Sequence, residues 1–166
     1  MFHKMNYSKQ KAIETNIKIY GCKNPMQNDD IKAKIRKSLY NNQSCPSSKA
    51  QRYLCELYNG ILNYPVKCYN LDILLDDGIY IEYNGSGHDL CVKMGHISQD
   101  DFINREAKRF DILKNEGFKM ILYINKTDKL PDDKFLLDTF NFCTNFLKET
   151  DAFKIEVDLD NKTIKV

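Results

Sequence analysis

Nowhere in the 166 residues does an apolar run approach the roughly 18 needed to span a bilayer, so no membrane partner is expected. The opening Met1-Phe2-His3-Lys4 lacks an apolar core of the kind that marks a secretory signal. The expected setting is therefore cytoplasmic. No two of the six cysteines (Cys22, Cys45, Cys55, Cys68, Cys91 and Cys143) lie closer than ten residues. That spacing leaves no knuckle to organise zinc, and in a reducing cytosol the six read as free thiols. Net charge is slight, at +2, and does not by itself indicate nucleic acid. What the chain does have is 42% hydrophobic and 29% charged residues, the balance of a soluble globular protein of one ordinary domain plus an appendage.

The charge is unevenly placed. Residues 1–52 carry eleven Lys or Arg against three acidic residues, Glu14, Asp29 and Asp30. The remainder is close to neutral or acidic. Within the basic third, Lys9-x-Lys11-Ala12-x-x-Thr15 recurs 23 positions later as Lys32-x-Lys34-Ile35-x-x-Ser38. Gly21 and Asn24-Pro25 punctuate the stretch between the copies. Two short basic helices are expected, about 8–19 and 29–40, in an arm covering 1–46. Such asymmetry points to phosphate binding, through Lys9, Lys11, Lys32, Lys34, Arg36 and Lys37; the alternative is a solvated lysine-rich helix pair.

The polar 41–47 stretch with Pro46 reads as a linker, after which Ser47 or Ser48 can cap a helix over about 48–59. The main domain is expected over 47–150 and a terminal β-hairpin over 151–166, around Asp160-Asn161. Between them, Tyr69–Leu75, Asp76-Asp77-Gly78 and Ile79–Asn84 form a hairpin whose three-residue loop places Gly at the left-handed position. In that register Leu75 faces Ile79, Ile73 faces Ile81, and Asp72 faces Glu82. Ser98 caps a helix running to Glu116 and closed by Gly117; a strand over Lys119–Ile124 and a helix over about 132–148 follow. The order predicts an α/β sandwich with a mixed sheet flanked by helices.

Opposed carboxylates on paired strands repel at Cβ separations of about 5 Å and need neutralising. A hard divalent cation would do this; a solvated edge position for one of them is the other reading. Gly85 and Gly87 then open backbone paths closed to other residues, and His88 follows at once, able to relay a proton near neutral pH or to serve structurally. On the 98–116 helix, Glu106 falls on the apolar stripe of Phe102, Phe110 and Leu113. There it needs a partner: Arg109 three residues on, or His88 or a metal. Gln51 interrupts the stripe of its own helix, as a core amide or a site-facing one.

From about Ser47 to Pro131 these features resemble the PD-(D/E)XK nuclease superfamily, nearest the branch of the very short patch repair endonuclease and phage or homing endonucleases. The likeness is carried by Asp72, by Glu82-Tyr83-Asn84-Gly85-x-x-His88, and by Glu106-x-x-Arg109-x-x-x-Leu113-x-x-x-Gly117-Phe118 with the strand after it. It implies a restriction-endonuclease-like fold, a four-stranded mixed sheet flanked by helices. It also implies Mg²⁺-dependent hydrolysis of phosphodiester bonds in DNA, with Mn²⁺ expected to substitute. Asp72 and Glu82 match the family's metal-binding acids, and His88 matches a histidine in the following loop. Glu106 stands where relatives often have Asp, and Gln51 lies near the position of a helix glutamate. Asn84 departs from the family, standing where many members carry a lysine, and His88 is expected to take over water activation. The block from Glu14 to Asn28, with Ile31-Lys32-x-Lys34, resembles nuclease-associated modular DNA-binding repeats.

A metal-dependent DNA endonuclease is the expectation, with Asp72, Glu82, His88 and Glu106 catalytic, Asp72 and Glu82 on the metal, and Arg109 bonded to the metal-binding acids or on phosphate. Rival expectations are a DNA-binding protein on an inactive nuclease fold, which Asn84 favours, a nuclease acting on RNA or on branched or mismatched DNA, and an interaction domain in which the acidic pair is incidental. A palindromic target would require a homodimer.

Overall fold

The computed structural model describes residues 2–166, with side chains from Ser8 onward. The chain divides into two compact units. One holds the chain up to Cys45 together with Pro65–Asn70; the other holds Pro46–Tyr64 and Leu71–Val166. Among the described residues, no helix is long and apolar enough to cross a membrane.

In the first unit, α1 (Phe2–Tyr20) and α2 (Asp29–Asn41) are joined through Gly21, at φ 71°, and a single 3₁₀ turn over Pro25–Gln27. Asparagine fixes this joint. Asn24 Oδ1 accepts from the Met26 N–H while Gln27 Oε1 accepts from the Asn24 N–H, a reciprocal cap. Asn28 caps α2 by accepting from Asp30 and Ile31, and its amide donates back to the Tyr20 carbonyl. The caps satisfy backbone groups that helix ends otherwise leave open.

A six-stranded mixed sheet runs in the order β1-β2-β3-β4-β5-β6, all of it in the second unit except the end of β1 and the start of β2. The strands are β1 (Ile61–Val66), β2 (Tyr69–Leu74), β3 (Ile79–Asn84), β4 (Lys119–Ile124), β5 (Lys154–Asp158) and β6 (Thr163–Lys165). β2 and β3 pair antiparallel, β3–β4 and β4–β5 parallel, and β5–β6 antiparallel. The helices are α3 (Lys49–Leu57), a single turn α4 (Leu90–Lys93), α5 (Gln99–Asn115) and α6 (Asp133–Glu149). The sheet has six strands where the resemblance implied four: β1 was not expected, and both strands of the terminal hairpin join the sheet, because β5 runs parallel beside β4.

Side-chain alternation gives the sheet two different faces. The odd-numbered side chains Ile73, Ile79, Ile81, Tyr83, Ile121, Tyr123, Ile155 and Val157 make one core with Leu54 and Tyr58 of the α3 region and Leu136, Cys143 and Leu147 of α6. The even-numbered face of β3 and β4 carries Tyr80, Glu82 and Asn84 beside Met120, Leu122 and Ile124. β3 is buried from Ile79 through Tyr83, as a strand with cover on both faces must be. The charged side chains at issue lie on the even face.

Candidate functional site

The β2–β3 register pairs Ile73 with Ile81 and Leu74 with Tyr80, and one further step sets Asp72 opposite Glu82. The turn that fixes it has Asp77 and Gly78 at φ 60° and 72°, and the Leu75 N–H donates to the Ile79 carbonyl at 2.8 Å. The two acids thus share a face, as the hairpin pattern requires, but their partners differ. Asp72 Oδ2 accepts from the Tyr83 backbone N–H at 2.9 Å. Glu82, only 4% exposed, receives a guanidinium fork from Arg109, at 2.5 Å to Oε1 and 2.7 Å to Oε2.

The electrostatics follow from that burial. Desolvation and the neighbouring Asp72 push the Glu82 pKa up to about 7, against the pull of Arg109. Burial works against the Arg109 charge, yet Glu82, Glu106 and Asp72 outweigh it and push the Arg109 pKa up. Arg109 turns inward, with a side chain 14% exposed, rather than toward solvent and a phosphate. Its expected ion pair with Glu106 is only a 3.9 Å approach; Glu82, 27 positions away in the chain, is the main partner. Sequence spacing identifies neighbours on one helix, but the stronger partner comes from the strand beneath.

Glu106 is left between two bases. Its Oε2 lies 3.8 Å from His88 Nε2 and 3.9 Å from the Arg109 guanidinium, buried and with no hydrogen bond to either. His88 packs edge-on against Phe102, ring centroids 5.2 Å apart. Burial lowers the His88 pKa, Glu106 and Asp89 oppose this, and Lys126 and Arg109 reinforce it. The imidazole is thereby kept toward its neutral form, which can accept a proton.

His88 also lines two cavities. One, of about 460 Å³, lies between the start of α3 (Ser48, Lys49, Gln51) and the Gly85-Ser86-Gly87 loop, with Tyr83 and Asp128. The other, of about 300 Å³, lies on the even face among Asn84, Phe102, Glu106, Phe110 and Leu122. The Asn84 Oδ1 is buried there without a hydrogen-bond donor. Gln51, Asn84, His88 and Glu106 therefore do converge around one loop, whereas Asp72 and Glu82 line neither cavity. Gln51 has a local duty too: Ser48 Oγ accepts from its N–H, and its Oε1 accepts from the Ser48 N–H at 2.7 Å.

Asp128, which the sequence reading did not single out, clamps the loop. Its carboxylate accepts from both the N–H and the hydroxyl of Ser86, bonds that hold its pKa below the usual carboxylate range. A Cβ at Gly85 would stand 2.8 Å from Asp128 Oδ1, so a larger residue there would push the clamping carboxylate aside. The available signal was the polar Asn125-Lys126-Thr127-Asp128 run closing β4, where parallel strands commonly present loops to ligands.

A divalent cation held by Asp72 and Glu82 does not fit this arrangement. Arg109 already occupies both Glu82 oxygens, and a second cation there would meet its charge. Of the expected arm residues, Lys9, Lys11, Lys34, Arg36 and Lys37 are exposed, while Lys32 is half-buried and pairs with Asp29 at 2.7 Å. No family model, curated protein or solved structure matches the chain.

Proposed function

We propose that the chain is a nuclease of the PD-(D/E)XK kind, hydrolysing phosphodiester bonds in DNA, with its reacting centre at His88. The observation that carries this reading is the position of that imidazole. It sits in the glycine loop leaving β3, lines both cavities, and faces the Glu106 carboxylate at 3.8 Å. A histidine turned to a carboxylate through one nitrogen has the other left for substrate. With Nε2 toward Glu106, Nδ1 is the atom that would take a proton from water as the water oxygen attacks phosphorus. The sugar oxygen departs on the opposite side of phosphorus as the P–O bond breaks and takes its proton from solvent.

The larger cavity supplies what a phosphodiester needs beside that base. Lys49 brings positive charge, and the Gly85-Ser86-Gly87 loop lets a backbone approach closely. The order helix, three strands, helix, strand from α3 to β4 supports the restriction-endonuclease-like reading of the fold. The exposed lysines of the first unit would neutralise DNA phosphates, each contact adding close to one unit to the slope of log affinity against log salt. Proton transfer at His88 draws nothing from a cation on Asp72 and Glu82.

Supercoiled plasmid, incubated with the protein in Mg²⁺, in Mn²⁺ and in chelator, tests the reading. Nicking or linearisation is expected, reduced by about 10²–10⁴-fold in His88→Ala. Undiminished cutting by that variant would remove the proposed centre. Retained cutting in Asp72→Ala is expected, since Asp72 lines neither cavity. A second reading, DNA binding on an inactive nuclease fold, is favoured by the Glu82–Arg109 fork and by Asn84 at the position of the family's lysine. It predicts salt-sensitive binding with no cutting under any of the three conditions.

A further inference from the structure

The Asp160-Asn161 turn, which the nuclease reading leaves unused, begins a hydrogen-bond network that ends at His88. Closing the β5–β6 hairpin is the work of Asp158, whose Oδ1 accepts from the Asp160 N–H at 3.0 Å and the Asn161 N–H at 2.9 Å. Asp160 turns instead to the segment leaving β4. Its carboxylate accepts there from the Lys126 N–H at 2.5 Å, the Thr127 N–H at 3.3 Å, the Thr127 hydroxyl and Asn125 Nδ2 at 3.3 Å. Asn125 is fully buried, and its amide also donates to the Lys129 carbonyl at 3.1 Å and accepts from the Tyr83 hydroxyl at 2.9 Å. A buried polar network bonded in this way is rigid.

The same segment carries Asp128, at φ 55°, a left-handed backbone uncommon for a residue with a side chain. From that position its carboxylate accepts from the Ser86 N–H at 3.0 Å and from the Ser86 hydroxyl. Ser86 lies inside a turn closed by the His88 N–H, which donates to the Gly85 carbonyl at 3.2 Å. Lys93 Nζ reaches the Ser86 carbonyl at 3.4 Å, so all three polar groups of this exposed serine are bonded. Holding Ser86 holds the turn that presents His88 to Phe102 and Glu106. We propose that Asp160 is a remote positioning residue: through the 125–128 segment and Asp128 it fixes the turn that sets His88 for proton transfer. Asp160 itself lines neither cavity.

The inference rests on the nuclease reading for its effect on rate, but its direct test needs no substrate. Amide hydrogen exchange, read by NMR on the full chain, is the measurement. Asp128→Ala should speed exchange at Ser86 and His88 by about tenfold, the scale of one charge-assisted hydrogen bond. Asp160→Ala should do the same although Asp128 is still present, while the core amides of Ile81 and Tyr123 keep their rates. In the Asp128→Ala background, adding Asp160→Ala should change nothing further at His88. Asp128→Asn should exchange like the parent, since its amide oxygen accepts from the Ser86 N–H and its nitrogen donates to the Ser86 hydroxyl. Unchanged exchange at His88 in Asp160→Ala, an equal rise at the core amides, or a further rise in the double variant overturns the proposal. Should Asp160→Ala fail to fold, Asp160→Asn replaces it. That variant keeps one acceptor but sets an NH2 against the Lys126 N–H, and a rise at His88 that vanishes without Asp128 is again required.

Plasmid cleavage is the companion measurement. Asp160→Ala should lower kcat by about 10²-fold, the cost of a misplaced group far from the chemistry, with KM little changed. Coupled exchange without cleavage by the parent chain leaves the network standing and removes the nuclease. Cleavage that His88→Ala abolishes and Asp160→Ala spares removes the positioning role and leaves the nuclease.

Discussion

Replacing Arg109 by Met should destabilise the protein in a strongly pH-dependent way. The variant keeps an unbranched stem under α5 but strips Glu82 of the fork bonded at 2.5 and 2.7 Å. In the native protein Glu82 is 4% exposed, and its pKa is pushed from 4.5 up to about 7 by burial and Asp72. A raised folded-state pKa contributes stability below the unfolded value, and that contribution is lost as pH rises through the folded one. Between about pH 4.5 and pH 7, Glu82 alone therefore withdraws about 3 kcal/mol. Without Arg109 the pKa rises further, and above pH 8 an unpaired carboxylate must be carried in the core or protonated. Removing one partner of a buried pair typically costs about 3–5 kcal/mol. Urea denaturation at pH 9 should show a loss of that size. At pH 5, with Glu82 protonated in both proteins, the loss should shrink to about 1 kcal/mol, the scale of the hydrogen bonds removed. Glu82→Gln combined with Arg109→Met should recover most of the pH 9 deficit. A loss under about 1 kcal/mol at pH 9, or one equal at both pH values, would show that Glu82 is not a buried anion held by this arginine.

Three other substitutions or reagents probe the frame around the site. Ser48→Ala removes the cap accepting from Gln51 N–H at 3.0 Å and should cost about 1 kcal/mol in thermal or urea unfolding, with little change if the cap is not formed. Gly60→Ala would place a Cβ 2.5 Å from Ile73 Cγ2 and 3.0 Å from the Leu74 carbonyl; a loss of about 1–3 kcal/mol is expected, and a neutral result would contradict the close approach. Burial pushes the Cys143 thiol pKa up to about 12, so a thiol reagent at pH 8 should leave Cys143 unlabelled in the folded protein and label it on unfolding, as mass spectrometry of the peptides would report.

Much of the fold was legible because local chemistry and burial agree. The Asp76-Asp77-Gly78 loop demanded left-handed backbone at its end, and Gly78 supplies it at φ 72°, which in turn sets Asp72 against Glu82. Ser98 caps α5, and Gly117, at φ 87°, follows its end. β1 was not legible: Pro65 lies inside it and Asn63 takes φ 55°, so its six residues lack a clean alternation. The parallel pairing of β5 to β4 was hidden for a different reason, since α6 intervenes and no turn sets that register. For the site, the types and order of residues were readable but their partners were not. Helical spacing offers Glu106 to Arg109, and only the sheet beneath α5 brings the stronger partner, Glu82, into reach.

The three acids on this face are of one chemical kind and are separated by what already bonds them. Asp72 has a backbone N–H from Tyr83, and Glu82 has the Arg109 fork. Glu106 alone retains a buried oxygen with no donor, and it alone faces an imidazole. A carboxylate with its bonds already made can hold its neighbours in place but has little left to offer a reacting group, whereas an unsatisfied one can stabilise a positive charge that appears beside it. Protonation of His88 during proton transfer would create that charge 3.8 Å from Glu106. On the proposed reading, chemistry falls to the helix acid and the loop histidine. On this reasoning Glu106→Gln should depress cleavage more than Asp72→Asn does, although Asp72 stands on the strand pair and Glu106 on the helix above it. Equal losses in the two variants, or a larger one in Asp72→Asn, would return the reacting centre to the hairpin.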